Sequence, residues 1–400
     1  MKKKLLMLLL TVTVITISLA GCGSTTSDEE AEVSQMQNEV MDENAETEAV
    51  DENAEIEDAA REAEANEYYE LGRAYLYGLN GTEINLATAY DNFEKAVELG
   101  KEDANFYLGT LCDFYNYPEQ NFEMAKSYYE KCENNPYANI NLGFLYLNGE
   151  GVETDTTKAG EIFQTVIEQG CVEGYIGKAF IEEDYDTKLE YFNKVVEEGT
   201  EPLYTALATN EIGYMYQEGM GVEQDYTKAL EWLKKAADLG NKNAMNNMGY
   251  SYYYGYGVEQ DYAKALEWFE KAADLRNSSA MDWIGSIYRE GLGVEQDYTK
   301  ALEWYEKAAD LGNSNAMTWI GSIYRDGLGV EQDYAKALEW YEKAADLENT
   351  SGMNQIGYLY YYGRGVEQSN EKALEWFDKA AALGNEKAKE NAKALREQMQ

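Results

Sequence analysis

The stretch GLGVEQDYTKALEWYEKAADLG at 291–312 returns as GLGVEQDYAKALEWYEKAADLE at 327–348, and looser copies begin at 219, 255 and 363. Successive starts lie 36 residues apart. A fixed period of this length excludes most globular folds. Each repeat is one supersecondary element that cannot bury its apolar face alone, so neighbours must stack to make a core. One glycine per repeat carries the register upstream: Gly72, Gly109, Gly143, Gly177, Gly213, Gly249, Gly285, Gly321 and Gly357. The expected fold class is all-α, an α-α superhelix (solenoid) of about nine helix-pair repeats. The first four, at 65–206, are degenerate, and the last five, at 207–386, are regular. Residues 279–314 and 315–350 differ at six positions, as a duplicated segment would. The polar residues 387–400 read as a helix capping the open end.

Each repeat reads as two helices. Counted from Gly321, apolar side chains fall at −5, −4, −1, +2 and +3 (Ala316, Met317, Ile320, Ile323, Tyr324), one arc of a helix at 100° per residue. The glycine shares that arc, at a cost of about 0.5–1 kcal/mol relative to alanine. Its recurrence predicts close approach of the second helix. Gly327 stops the first helix, where positive φ is easy. Asp333 is a good N-cap for the second. Tyr334, Ala337, Leu338, Tyr341, Ala344 and Ala345 then keep the i, i+3, i+4, i+7 spacing of a buried stripe. Gly240, Gly312 and Gly384 read as C-caps of second helices, with Arg276 and Glu348 in the equivalent places of two repeats.

Charge narrows the functional classes. Thirty-three Lys and Arg stand against 75 Asp and Glu, a net −42, with no basic stripe to neutralise phosphates, so nucleic acid is not an expected partner. The chain has no histidine, which removes the usual general base and the commonest metal ligand. No metal site and no small-molecule cofactor are expected. Of the four cysteines, Cys112 and Cys132 fall near the far ends of two antiparallel helices, too far apart for a disulfide. Cys132 aligns with Ala308 and reads as a buried thiol.

The first residues, MKKKLLMLLLTVTVITISLAGC, have a basic start and an apolar run of roughly 16 residues, shorter than the ~20 a bilayer needs. They read as a signal peptide at 1–21. Leu19-Ala20-Gly21-Cys22 resembles the bacterial lipobox. The resemblance implies cleavage before Cys22 and lipidation there (palmitate among the acyl chains), hence a location at the cell membrane, anchored on its extracytoplasmic face. Gly23 follows the cysteine, and no aspartate signals inner-membrane retention, so an outer membrane is open where the cell has two. Residues 22–64 read as a disordered acidic linker: 24–64 hold 16 acidic residues against the single Arg61 and no aromatic side chain. Part of 54–66 is Ala/Glu-rich enough to add a fraying helix.

The repeat itself resembles the Sel-one-like repeat, a relative of the tetratricopeptide repeat. The residues that carry the likeness are Ala316, Gly321, Tyr324, Gly327, Gly329, Val330, Asp333, Ala337, Trp340, Tyr341, Lys343, Ala344 and Ala345. It covers roughly 65–386 and is most specific at 207–386. The resemblance implies a right-handed superhelix that binds proteins or peptides and scaffolds complexes, with the first helix of each pair lining the concave side. It implies no reaction. Cysteine-rich members linked to β-lactam binding depend on a cysteine pair per repeat, which this chain lacks.

A ligand is therefore expected on the opposite arc of the first helices, at −3, +1 and +4, with the tryptophans at −2. Those positions vary while the core arc does not. The candidate groove residues are Asn246, Tyr250, Tyr253, Asp282, Trp283, Arg289, Thr318, Trp319, Arg325, Asn354, Tyr358 and Tyr361. Asn, Ser, Tyr and Arg suit peptide backbone and side-chain contacts, and the two arginines suit a carboxylate. Packing of the tyrosines against the next repeat, and pairing of the arginines with local acids, is the alternative. Ser369-Asn370-Glu371-Lys372 matches the Ser-x-x-Lys of penicillin-recognising hydrolases, yet no companion motif is present and Ser369 aligns with the N-cap aspartates. The expectation is a non-enzymatic protein- or peptide-binding scaffold with a neutral or basic partner, since 65–400 carries 29 basic and 59 acidic residues. An envelope enzyme, such as a cell-wall or β-lactam hydrolase, and a passive spacer are the alternatives.

Overall fold

The computed structural model describes residues 57–76, 79–114, 121–132 and 134–399. The signal peptide, Cys22 and the linker up to residue 56 lie outside the described residues. Among those described, all regular structure is helical. The chain divides into two compact bodies, Met1–Leu108 and Gly109–Gln400.

In the first body, α1 (57–76) pairs with α2 (Leu86–Glu98). Helix α1 begins inside the segment expected to be disordered. Residues 57–64, EDAAREAE, are strong helix formers, and Arg61 Nη2 donates to the Glu98 carbonyl at the end of α2, 3.3 Å away. That stretch is part of the first helix pair. Gly72 lies against the ring of Phe93, where an added Cβ would stand 2.8 Å from ring carbons.

The second body is a run of helix pairs. After α3 (Ala104–Phe114) come α4 (Phe122–Glu130), α5 (Pro136–Asn148), α6 (Thr156–Glu168), α7 (Gly174–Ile181), α8 (Tyr185–Glu198), α9 (Pro202–Glu218), α10 (Tyr226–Asp238), α11 (Lys242–Tyr254), α12 (Tyr262–Asp274), α13 (Ser278–Glu290), α14 (Tyr298–Asp310), α15 (Ser314–Asp326), α16 (Tyr334–Asp346), α17 (Thr350–Tyr362), α18 (Asn370–Ala382) and the terminal α19 (Glu386–Met399). From α3 to α17 the odd-numbered helices are the first of each pair, here called A, and their even-numbered partners are B. From α4 to α19 each packs on its neighbours in sequence. Successive A helices also touch, α5 with α7, α11 with α13 and α15 with α17, so the A helices form the tighter side of the stack.

The recurrent glycine is explained by one contact. A Cβ on Gly249, Gly285, Gly321 or Gly357 would come within 2.5–2.6 Å of the ring of Phe269, Tyr305, Tyr341 or Phe377, the residue 20 positions on in the B helix. These rings are 0–2% exposed. The A helix can lie flat on the ring only because it has no side chain there. The turn that follows uses two further glycines. Gly327 is the left-handed C-cap of α15 (φ 69°), and Gly329 (φ 69°) backs onto Tyr298 of the preceding repeat, where a Cβ would meet that side chain at 2.8 Å. Arg276 and Glu348 take φ 60° and 56° where other repeats have glycine, a conformation that costs a non-glycine residue of order 1–2 kcal/mol.

An asparagine ladder ties the regular repeats together. Asn313 Oδ1 accepts from Ala316 N at 3.0 Å and so caps α15, while its Nδ2 donates to the Ser278 carbonyl of the preceding A helix at 3.2 Å. Asn241 and Asn277 donate in the same way to the Ala206 and Lys242 carbonyls, and Asn349 and Asn385 to the Ser314 and Thr350 hydroxyls. One side chain thus satisfies a helix end and a joint at once.

The fourth repeat departs from this plan. Its A helix, α7, has only eight residues, and Gly177 receives Phe163 from the preceding B helix. The next A helix, α9, is lengthened to 17 residues and bridges the gap. Tyr204 stacks on Tyr137 at 5.6 Å and donates to Asn141 Oδ1 of α5 at 3.0 Å. Asn141 Nδ2 donates to Tyr129 Oη (3.2 Å), and Tyr129 Oη to Asp113 Oδ2 (3.1 Å). The 2%-exposed Glu173 holds the start of α9 by accepting from Thr200 N and Glu201 N at 2.8 and 2.9 Å. Cys112 and Cys132 are both buried.

Gly321→Ala should overpack the Tyr341 ring and destabilise the regular repeats by about 1–3 kcal/mol. Gly312, whose Cβ would meet nothing within 4 Å, has only its φ of +79° to lose and should cost about 1 kcal/mol as alanine. Urea denaturation followed by circular dichroism measures both, and a larger loss for Gly312→Ala would contradict the ring contact.

Candidate functional site

The candidate residues lie on the A helices α11, α13, α15 and α17. The structure joins them across repeats. The +4 residue of one repeat meets the −2 residue of the next, 30 positions on. Tyr253 lies 5.0 Å, centroid to centroid, from Trp283. The Arg289 guanidinium sits 3.6 Å over the Trp319 ring. Arg325 Nη1 donates to Gln355 Oε1 at 2.9 Å. The result is a strip of aromatic and guanidinium groups along the A side of repeats six to eight. Each arginine also takes the acid beside it: Arg289 pairs with Glu290 at 2.6 Å, and Arg325 grips Asp326 through Nε (2.8 Å) and Nη2 (2.6 Å). Their side chains remain only 16% and 25% exposed. The tryptophans rest on the core rings, Trp283 stacked on Phe269 (5.9 Å, 8°) and Trp319 on Tyr305 (6.4 Å, 20°). Trp319 stays 36% exposed.

The −3 column lies deeper. Where the next repeat offers an amide at −2, that amide satisfies it: Asn247 Nδ2 donates to Asn210 Oδ1 at 3.4 Å. Where the next repeat offers tryptophan, the acceptor is left bare. Asn246 Oδ1 precedes Trp283, and Asp282 Oδ1 precedes Trp319. Both atoms are buried without a hydrogen-bond partner. Burial pushes the Asp282 carboxyl up to about 6, with the positive charge of Arg289 opposing the rise.

Other candidates have internal duties. The single hydroxyl proton of Thr318 is shared between the Ser314 carbonyl (3.1 Å) and Asn349 Oδ1 (3.2 Å) of the next repeat. Asn354 and Tyr358 bond to Asn391 of α19 at 2.8 and 3.1 Å, and Tyr361 donates to Gln398 Oε1 at 3.0 Å. Three residues of the expected groove thus seat the terminal helix. At +1, Ser286 and Ser322 hydrogen-bond the buried Tyr305 and Tyr341 hydroxyls at 3.1 and 3.0 Å, whereas tyrosine stands at +1 where the core ring is Phe269 or Phe377. Ser369 Oγ accepts from Lys372 N at 3.2 Å as the N-cap of α18.

Two features escaped the sequence reading. The asparagine ladder was visible as Asn at 241, 277, 313, 349 and 385, one period apart, but Asn before a helix reads as an ordinary loop residue. Tyr254 and Tyr256 extend the strip at repeat six, yet they lie just beyond the arc considered. Tyr254 is 43% exposed.

The Sel1 repeat model matches residues 68–101, 102–131, 136–171, 206–241, 242–277, 278–313, 314–349 and 350–385. The chain belongs to the Sel1 repeat family. The segment between the third and fourth matches holds the short α7 and its partner α8, a helix pair that departs from the Sel1 pattern. Among solved structures, a protective antigen of uropathogenic Escherichia coli strains displaying an SLR fold is 32% identical over 85% of this chain and 73% of its own, at a TM-score of 0.48. A Sel1 repeat protein from Oxalobacter formigenes is 31% identical over 49% and 82%, at 0.45. Cysteine rich protein B of Helicobacter pylori is 29% identical over 32% and 92%, at 0.27. No curated protein matches the chain. Sel1 repeats build helical solenoids of the kind that serve as protein-interaction scaffolds. Among the described residues no helix is long and apolar enough to cross a membrane, and no group of three or more Cys, Asp or Glu could hold a metal ion.

Asp282 makes stability depend on pH. Its folded-state pKa, raised from 3.8 to about 6, means the folded chain holds the proton more tightly than the unfolded one. This group's contribution is favourable below the unfolded value and declines as pH rises to about 6. Asp282→Asn should therefore match the native chain near pH 4 and exceed it by up to about 3 kcal/mol above pH 6. Melting temperatures of both chains from pH 4 to 8 test this, and a constant difference would contradict it.

Proposed function

We propose that this chain is a membrane-anchored extracytoplasmic lipoprotein whose repeats act as a protein- or peptide-binding scaffold through the A-side groove. The observation that carries the reading is the inter-repeat strip from Tyr253 through Arg289 to Arg325. Its rings and guanidinium groups are packed from below and sideways, so they are rigid, and they stay partly open to solvent. Rigid aromatic and arginine side chains at the centre of a groove are the residue types that dominate protein interfaces. Membership of the Sel1 family supports a protein as the ligand. The charge of 65–400, with 29 basic and 59 acidic residues, favours a neutral or basic partner. The N-cap role of Ser369 supports a scaffold without catalysis over a Ser-x-x-Lys hydrolase. The signal peptide and Leu19-Ala20-Gly21-Cys22 support lipidation at Cys22, and the acidic stretch after it would hold the repeats clear of the bilayer.

Cross-linking in intact cells followed by affinity purification of the full chain tests the groove. The triple variant Tyr253→Ala/Arg289→Ala/Arg325→Ala should recover its partner at least about tenfold less than the native chain. Undiminished recovery would remove the groove from the proposal, and turnover of a cell-wall or β-lactam substrate would remove the non-catalytic reading. For the anchor, Cys22→Ser should move the chain from the membrane to the soluble fraction, and mass spectrometry of the native N-terminal peptide should find acyl chains on Cys22.

A further inference from the structure

Along the regular repeats the chain covers its own half-exposed rings with cations. Each B-helix tryptophan lies under the lysine three residues on, with Nζ 3.9–4.3 Å from the ring centroid, as Lys307 does on Trp304. Each A-helix tyrosine at +3 lies under the lysine that opens the next B helix, at 5.1–5.6 Å, as Tyr288 does under Lys300. These lysines are exposed and also sit on rings. Trp319 takes Arg289 in the same manner, at 3.6 Å.

One cluster departs from this pattern. Tyr250, Tyr253, Tyr254, Tyr256 and Trp283 meet where repeat six joins repeat seven. Tyr254 lies 4.6 Å from Tyr250 and 4.8 Å from Tyr253, and it runs nearly parallel to Tyr256 at 5.6 Å. Trp283 closes the cluster, 5.6 Å from Tyr250 and 5.0 Å from Tyr253. Among the described residues, the cation–ring contacts fall on the neighbouring Tyr252, Trp268 and Trp319 and on none of these five rings. Aligning the repeats gives the reason. Repeat six has Tyr250, Tyr253, Tyr254 and Tyr256 where repeat seven has Ser286, Arg289, Glu290 and Leu292. The built-in guanidinium of repeat seven is replaced by tyrosine at +4, and the nearby Arg289, which acts on Tyr253, is itself committed to the Trp319 ring and to Glu290.

The surroundings are negative. Burial, then the neighbouring phenols and the carboxylates of Glu218 and Glu290, raise the Tyr250 and Tyr254 hydroxyls above their ordinary value. Glu218 flanks Tyr250 and Glu290 flanks Tyr254. An aromatic face in a negative field attracts a cation, and a planar, weakly hydrated guanidinium gains more from stacking than an ammonium does. Trp319 shows how this chain arranges such a contact: a guanidinium on the ring face with Glu290 beside it.

We propose that the tyrosine cluster of repeat six receives an arginine side chain of the partner protein, stacked against the exposed Tyr254, which Tyr256 backs while itself resting on Tyr226 at 4.9 Å. The inference rests on the scaffold reading above and names the chemistry its groove selects.

The test uses the full chain in detergent and fluorescein-labelled decapeptides of Gly, Ser and Asn with one central arginine, lysine or citrulline, read by fluorescence anisotropy. Citrulline keeps the shape of arginine and removes its charge. The arginine peptide should bind at least about fivefold tighter than the citrulline peptide, with lysine between. Tyr254→Leu/Tyr256→Leu should abolish the preference, and Tyr254→Phe/Tyr256→Phe should keep it, with circular dichroism confirming that both variants are folded. Equal affinity for arginine and citrulline, a preference that survives the leucine variant, or no binding of the arginine peptide at about 1 mM would each overturn the assignment. If the preference fails while cross-linked partner recovery still depends on the strip, only the arginine assignment falls. If recovery ceases to depend on the strip, the scaffold reading falls.

Discussion

The contact between a bare helix backbone and the face of a ring sets the geometry of the regular repeats. Where Gly321 lies on Tyr341, the two helices sit closer than any side chain would let them. Dispersion between the ring and the backbone replaces the usual interdigitation, and the ring is wholly removed from water. The same arrangement at Gly249, Gly285 and Gly357 fixes the distance within each pair. It also decides which side of the A helix is left over. Once the glycine arc is committed to the ring, the +1 residue still reaches that ring, as Ser322 does Tyr341, and the rest of the opposite arc faces out of its own helix pair. It must meet the next repeat or solvent, and the strip of repeats six to eight does both.

Much of the scaffold was legible because it follows local rules that repeat. A glycine in the middle of a helix, an aspartate before one and a glycine after one each have a single physical reading, and the period multiplies it. The joints were less legible. Aligning repeats stacks like on like, whereas the structure pairs unlike positions: +4 of one repeat with −2 of the next, Tyr253 with Trp283 and Arg325 with Gln355. For the same reason Asn354, Tyr358 and Tyr361 looked available. Their neighbour is α19, which keeps the register through Asn385 but whose polar sequence carries little else of the repeat pattern. Asp282 was one acid among 75; only the burial of its unpartnered Oδ1 marks it as a buried carboxyl. Residues 57–64 resemble the charged segment before them in composition, and the hydrogen bond from Arg61 to the end of α2 is not visible in composition.

The fourth repeat illustrates how a solenoid tolerates a poor member. Helix α7 is short and draws its ring from the repeat before. The lengthened α9 reaches over it to α5, so the stack is continuous on the A side even where one A helix cannot span it. The bridge is polar: Tyr204, Asn141, Tyr129 and Asp113 form a chain of hydrogen bonds that ends on a carboxyl which burial pushes up to about 7, against the lowering effect of the Tyr129 hydroxyl. Glu173 is the opposite case. It is 2% exposed, but two backbone amides and the Cys171 thiol donate to it and hold it below its ordinary value despite burial. The two carboxyls differ in the number of donors, and that number decides which form each prefers.

The asparagine ladder has a consequence for how the array changes length. Asn313 reaches the carbonyl of Ser278, and Asn349 reaches the Ser314 side chain one period later. Because 279–314 and 315–350 are nearly identical, loss or gain of 36 residues by recombination inside this tract rejoins the same partners. Rings, caps and clamps are restored at the new seam. What does not survive is the order of residues along the strip, since Arg289 would then face Gln355 in place of Trp319. The gene can therefore edit the exposed strip in whole-repeat steps while the framework that carries it is left intact.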